Sequence, residues 1–270
     1  MKTDFATDTR RADTVEANQT SVERAIRHMK EHFEEPLDLD EIARIAAVSK
    51  FHLVRVFDEV TGTTPHHFLA CLRMQRAKKL LLSSESSVTD VCMEVGYTSL
   101  GSFSKTFSEL VGVSPQEFRA MPKRLTAKQF ATAIWRYLAS RRKISGPVLE
   151  GVIEGPRQPR GFIFVGTFTR GVPLGVPYSG TVMVTRGTFC IERPTVPEFH
   201  LMAVLVPFTA SLTDMVSDIP VSLVASLRVQ NGPADAAAKP HLHLRPLRLT
   251  DPPIVLALPA LPPLLITPVN

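Results

Sequence analysis

Cysteine is scarce in this sequence, and the three present, Cys71, Cys92 and Cys190, are odd in number and far apart. No spacing resembles a zinc site or a disulfide framework, and a reducing cytoplasm is the natural setting. Long apolar runs are lacking too. The longest, Ile254 to Val269, is interrupted by Pro259, Pro262, Pro263 and Pro268, so it makes a poor transmembrane helix and no membrane partner is expected. The stretch Met1 to Asn18 is polar and charged, so it does not read as a secretory signal. There is no glycine-rich phosphate loop followed by lysine and no nucleophile elbow. With no catalytic constellation, neither an enzyme nor a cofactor is expected.

What is present divides sharply in two. A chain of 270 residues, 44% of them hydrophobic, can bury two cores. Residues 1–143 hold 22 Lys/Arg and 18 Asp/Glu, against 9 and 8 in the rest, whereas 18 of the 22 prolines lie beyond residue 145. The first part reads as helices, the second as short strands broken by Gly and Pro, which puts a boundary near Ile144. No repeat of 20–50 residues and no low-complexity tract beyond the Pro-rich end is visible. The net charge of +5 is compatible with nucleic acid without establishing it.

The helical part is punctuated by caps. Thr20 with Glu23 predicts a helix start, carrying Val22, Ile26, Met29 and Phe33 on one stripe until Pro36. Asp38 caps a second helix with Glu41 three residues on, and Ser49 opens a third bearing Leu53, Val56 and Phe57, stopped by Gly62. Two short helices separated by about three residues are the helix-turn-helix geometry. Thr64 with Pro65 begins a longer helix reaching about Leu82. The pattern then recurs: Ser87 caps a helix ended by Gly96. Thr98 or Ser99 opens another with Phe103, Phe107 and Leu110 inward. Gly112 turns the chain into a cap made by Ser114, Pro115 and Glu117. The linking helix is roughly 27 Å long at 1.5 Å per residue. Two recognition helices held about one DNA turn apart, roughly 34 Å, can enter successive major grooves.

These residues resemble the AraC/XylS regulators. The first motif is Leu39-Asp40-Glu41-Ile42-Ala43 with Val48-Ser49-Lys50-Phe51-His52-Leu53-Val54-Arg55-Val56-Phe57, then Thr61-Gly62-Thr63-Thr64-Pro65, Phe68 and Arg73-Met74-Gln75-Arg76-Ala77. The second is Val91-Cys92-Met93-Glu94-Val95-Gly96-Tyr97, Phe103, Phe107 and Gly112-Val113-Ser114-Pro115-Gln116-Glu117-Phe118-Arg119. The resemblance implies a bacterial transcription regulator, with activation the usual direction, that reads bases with the exposed face of each third helix. Those faces are Phe51, Val54 and Arg55 in the first unit and Leu100, Gly101, Ser102, Ser104 and Lys105 in the second. Lys50 and His52 are expected near the DNA backbone. The helix N-termini near Thr64 and Ser114 are expected to hold phosphate oxygens. Arg55 stands out because arginine pairs bidentately with guanine O6 and N7, while Phe51, Val54 and Leu100 suit thymine methyls. Core packing is the alternative for Phe51, and structural pairing the alternative for Arg73 and Arg76. The second face is poor in long polar side chains, so that unit is expected to position more than it specifies. Most members carry this domain at the end of the chain; here it comes first, so no sugar-binding barrel and no arabinose-like effector are carried over.

Residues 126–143 read as one more helix, with Phe130, Ile134 and Leu138 on a stripe and Arg136, Arg141, Arg142 and Lys143 toward its end. It can dock the domains, dimerise, or touch flanking DNA. Beyond it, strands are expected at Val148–Ile153, Phe162–Phe168, Thr181–Thr185, Phe189–Ile191, Phe199–Phe208, Val221–Val229, Leu242–Leu249 and Ile254–Leu258, forming an antiparallel β-sandwich. Gly180-Thr181-Val182, Thr188-Phe189-Cys190-Ile191 and Val196-Pro197-Glu198-Phe199-His200-Leu201-Met202-Ala203 resemble the carboxypeptidase regulatory-like, transthyretin-type sandwich. His241 and His243 would share one strand face and, with His200 or Asp214, could ligate a metal, but ordinary surface residues explain them and no metal is expected.

The fold expected is therefore multi-domain, α then β: an arm at 1–19, an all-α double helix-turn-helix domain at 20–122, a connecting helix at 123–143 and a β-sandwich at 144–270. The function expected is sequence-specific binding of double-stranded DNA, modulated by the β domain. RNA polymerase, a small-molecule or protein effector, and a second copy of the chain are the further partners considered. The alternative is a protein-interaction or ligand-binding β module with a weak, non-specific nucleic-acid tether. A fused DNA-repair methyl acceptor lacks the clustered cysteines it would need.

Overall fold

A computed structural model describes residues 4–124, 146–172, 177–210, 221–232 and 239–255. Among the described residues seven helices come first: α1 (Asp4–His32), α2 (Leu39–Ile45), α3 (Lys50–Thr61), α4 (Pro65–Ser83), α5 (Val88–Glu94), α6 (Leu100–Val111) and α7 (Pro115–Arg124). Helix α1 starts at Asp4 and not at Thr20. Neither Gly nor Pro interrupts residues 4–32. The Thr20 hydroxyl donates to the Glu16 carbonyl at 3.0 Å, the back-bond of a threonine inside a helix rather than at its cap. Glu23 pairs with Arg27 at 3.5 Å. Residues 4–19, expected as a loose arm, thus continue the helix.

The other caps form as the sequence predicts. Asp38, Ser49, Thr64, Ser87 and Ser99 each accept a hydrogen bond from a backbone N–H in the first turn of their helix. Gly62 and Gly112 end α3 and α6 in the left-handed region, at φ 73° and 94°. Ser87 and Asp90 close a full capping box. At α2 the box is only half made, because the Glu41 carboxylate turns to His28 at 3.2 Å.

Packing follows the apolar stripes. One cluster gathers Val22, Ile26, Met29, Ile42, Leu53, Phe57 and Phe68, and a second gathers Met74, Leu81, Val91, Phe103, Phe107 and Phe118. Helix α4 serves both, through Phe68, Leu69 and Leu72 at one end and Met74, Ala77 and Leu81 at the other. Phe57 meets Phe68 edge-on at 5.5 Å, and Phe107 meets Phe118 at the same distance. Each such fully buried ring contributes roughly 1.5–3 kcal/mol. Two arginines tie helices to the turns beside α4. Arg73 donates to the carbonyls of Phe33 and Glu35 at 2.7 and 2.8 Å, and Arg119 to those of Leu81 and Ser86 at 3.2 and 2.6 Å.

The β part holds β1 (Val148–Glu154), β2 (Gly161–Phe168), β3 (Ser179–Met183), β4 (Gly187–Glu192), β5 (Glu198–Pro207), β6 (Leu223–Gln230) and β7 (His241–His243). They form two sheets, in the orders β4-β1-β7 and β3-β2-β5-β6. Leu149, Ile153, Ile163, Phe199, Leu201 and Leu242 fill the space between them. Pairing is antiparallel except between β1 and β7, which run parallel, so the expectation of a purely antiparallel sandwich needs that correction. The strand expected at Leu242–Leu249 stops at His243, followed by one bridge from Arg245 to Val224. Pro246 has no N–H to continue the ladder, and Arg245 instead grips Asp251 through two bonds of 2.7 Å that fold the chain back. Ile254 and Val255 are not in a strand. The rest of that expected strand, the helix expected at 126–143 and Asp214 lie outside the described residues.

The β part packs on the helices. Val172 and Val255 are fully buried in the second helical cluster, and Leu249 lies against the first. Where Gly62 meets Gly171 the backbones nearly touch: a Cβ built on Gly171 would lie 2.1 Å from the Gly62 carbonyl oxygen. Only glycine fits at that crossing.

Candidate nucleic-acid interface

The two helix-turn-helix units are built alike. Helices α2 and α5 are each seven residues long, and α3 and α6 twelve. Both turns carry the same pair of backbone bonds, from Ala47 and Val48 to Arg44 and Ala43, and from Gly96 and Tyr97 to Met93 and Cys92. In each third helix the inward residues are buried, Leu53, Val56, Phe57 and Thr61 in α3, and Phe103, Phe107, Leu110 and Val111 in α6. What remains faces outward.

On α3 the outward residues are those the sequence singled out. Phe51 is 80% exposed, which removes core packing as its explanation. Arg55 is exposed and bonds Glu59 at 2.8 Å and His52 Nδ1 at 3.2 Å, and Val54 is half-buried between them. Exposed (i, i+4) pairs such as Arg55–Glu59 are worth about 0.3–0.5 kcal/mol. A bidentate contact with guanine is worth roughly 1–3 kcal/mol, so the guanidinium can leave its carboxylate for a base. Lys50 reaches Asp40 at 3.2 Å. His52 turns back toward α1, its Nε2 3.1 Å from Asn18 Oδ1. On α6, Leu100 is 41% exposed, Gly101, Ser102 and Lys105 are exposed, and Ser104 is half-buried. These side chains are short apart from Leu100 and Lys105.

The two expected phosphate sites at helix starts are differently placed. The Thr64 hydroxyl lies 3.2 Å from His67 Nδ1, and Thr64 lines a cleft with Arg170 and Gly171 of the β part. At Ser114 the Glu117 carboxylate accepts bonds from the backbone N–H and the hydroxyl, at 2.9 and 2.7 Å. An anion already occupies that helix end.

Arg73 and Arg76, open between structural and phosphate roles, are structurally engaged. Arg73 holds two carbonyls, stacks 5.5 Å from the Tyr97 ring and has its pKa lowered by burial, and Arg76 pairs with Glu94 at 3.2 Å. Lys78 was missed by sequence reading: it is 1% exposed, its ammonium 5.8 Å from the Phe118 ring. A lysine on the inner stripe of α4 was the available signal. Burial pushes the Cys71 thiol up to about 12, so it does not ionise at neutral pH.

The described residues contain no group of three His, Cys, Asp or Glu side chains suited to a metal, and no helix long and apolar enough to cross a membrane. His241 and His243 share one face, as expected, and both turn to Glu154, at 2.7 and 3.4 Å. His200 lies in the other sheet.

Residues 42–121 match a family model described as a helix-turn-helix domain. That segment is a helix-turn-helix domain of the AraC type. Relatives share it. The MmsAB operon regulatory protein of Pseudomonas aeruginosa is 41% identical over 34% of this chain and 30% of its own length. The HTH-type transcriptional regulator GbdR of the same organism is 33% identical over 38% of this chain and 28% of its own. The AraC-type matches thus span less than a third of these relatives. Among solved structures, the C-terminal domain of AraT, a response regulator from Geobacillus stearothermophilus, is 34% identical and covers 37% of this chain and 83% of that one, with a TM-score of 0.36. An AraC-type regulator from Chromobacterium violaceum is 33% identical over 38% and 96%, with a TM-score of 0.36. The family match ends at residue 121, so the likeness of the β part to the transthyretin-type sandwich has no counterpart in it.

Proposed function

We propose that this protein is a cytoplasmic, sequence-specific transcription regulator that inserts α3 and α6 of its AraC-type domain into successive major grooves of one duplex. The observation that carries this reading is the paired construction: two helices of twelve residues, each capped by serine and ended by a left-handed glycine, with buried inner faces and open outer ones. The 19 residues of α4 between them span about 28 Å at 1.5 Å per residue, near one turn of DNA. Phe51, Val54 and Arg55 read bases in the first groove; Leu100, Gly101, Ser102, Ser104 and Lys105 lie in the second, with Lys50 toward the backbone. His52 orients Arg55 from its place against Asn18. The relatives named as regulators support the same class.

In this reading the domains are the AraC-type unit, preceded by the extension of α1, and a β domain that tunes it through an effector, RNA polymerase or a second copy of the chain. Selection of random duplexes on the full-length protein at near-physiological salt tests it. A two-part motif with centres about one helical turn apart, bound far more tightly than scrambled DNA, is the expected outcome. The short side chains of α6 favour a second reading, a β module with a non-specific tether. Salt-dependent binding with no preferred sequence would favour that one.

A further inference from the structure

The last turn of α3, Asp58 to Gly62, faces the outer surface of the β3-β2-β5-β6 sheet across a cavity of about 230 Å³. The floor is set by the register of β5 and β6: Val204 opposite Val224, Met202 opposite Ser226 and His200 opposite Arg228. His200 is unusual there. It is only 8% exposed and lines both this cavity and the adjoining cleft toward Thr64, and no buried side-chain nitrogen or oxygen among the described residues is left without a partner. The imidazole edges the cavity, so a polar group that enters can bond it in exchange for the bond it makes to water. Burial lowers the pKa of His200, which leaves a neutral ring able to donate from one nitrogen and accept at the other.

The surrounding charges are already matched. Arg228 pairs with Glu198 at 2.7 Å and reaches Asp58 at 3.9 Å; Arg245 holds Asp251; Glu59 holds Arg55. A charged molecule entering this space would be desolvated without a free counter-charge. The size is also limiting, since drug-sized ligands occupy roughly 300–1,000 Å³.

We propose that this cavity is a binding site for a small uncharged amphipathic molecule, one apolar ring or short chain bearing a hydroxyl or carbonyl that pairs with the His200 imidazole. Its apolar body lies on Met202, Val204 and Val224, and one wall is the helix that carries Phe51, Val54 and Arg55. An occupant therefore touches both the β domain and the end of the recognition helix. This rests on the β domain being the effector-bearing part of the proposed regulator, and it names the site and the ligand chemistry.

The test is titration of the full chain with benzyl alcohol, followed by the imidazole nitrogen resonances of His200, with toluene and benzoate as comparisons. Saturable shifts of His200 with benzyl alcohol and none with benzoate are expected. His200→Phe keeps a ring but loses the bond, and should weaken benzyl alcohol about 3–10-fold while leaving toluene unchanged. Ser226→Trp, at an exposed position, fills the cavity and should abolish binding of both even if His200→Phe does not fold. Absence of saturable shifts at His200, or undiminished binding to Ser226→Trp, would overturn the proposal. None of these readouts involves DNA. Loss of the ligand site with intact selection of duplexes sinks this inference alone, and the reverse result sinks the regulator.

Discussion

The first helix-turn-helix unit presents Phe51, Val54 and Arg55 where the second, fifty positions later, presents Gly101, Ser104 and Lys105. The scaffolds beneath are matched in helix length and capping, and both keep aromatic residues inward, Phe57 in one and Phe103 and Phe107 in the other. The turns differ in the opposite sense. At the left-handed position the first unit has Ala47, φ 58°, and the second has Gly96, φ 81°. A side chain in that region costs about 1–2 kcal/mol, and Ala47 is exposed with room to bear it. Gly96 has no such room, because a Cβ there would lie 2.6 Å from the Glu34 carbonyl oxygen. The first unit thus presents the larger outward side chains, and the second is the more tightly seated against its neighbour.

Five changes would break or sharpen that contrast. The largest expected effect is that of Gly96→Ala, a loss of about 3 kcal/mol from the unfavourable φ and the collision with Glu34. Urea denaturation measures it, and a loss under about 1 kcal/mol would mean the second unit is seated no more tightly than the first. Next, Arg55→Ala should cost about 1–3 kcal/mol at the selected site and little on scrambled DNA, whereas Lys105→Ala should weaken both alike and lower the salt slope by about one. Equal behaviour of the two variants in a salt series would erase the division between reading and positioning. Ala47→Gly should stabilise the chain by up to about 1 kcal/mol, relief of φ strain outweighing the entropy gained by the unfolded chain. Thermal unfolding that moves downward would contradict this. Smallest in stability is Phe51→Ala, within about 0.5 kcal/mol because the ring is exposed. Its loss should nonetheless appear as weaker specific binding in anisotropy titrations.

Most of the helical half was legible because its signals are local. Serine, threonine and aspartate caps, left-handed glycines and apolar stripes each act within one or two turns. Even so, Thr20 carried the signature of a start and lies inside α1, since a capping pattern cannot announce that helix already precedes it. Outward faces followed from the stripes by subtraction: whatever is not inward is outward, and Phe51 proved so. His52 was less legible. Its partner Asn18 is distant in sequence, as are Phe33 and Glu35, the partners of Arg73. Strand positions were mostly readable from alternation and Pro/Gly breaks, but the parallel pairing of β7 with β1 was not, because alternation fixes faces and leaves direction open.

By itself, then, the amino-acid order determined the two Ser-capped helices α3 and α6, their inward and outward faces, the boundary between helical and β chemistry, and the AraC-type identity of residues 42–121. Only the tertiary structure decided that Gly62 and Gly171 press backbone to backbone, that Val172 and Val255 enter the second helical core, and that His200 comes to face the end of α3. Caps and stripes are set by neighbours a few residues away. Those contacts join segments more than fifty residues apart, where glycine, valine and histidine carry no mark of what they will meet.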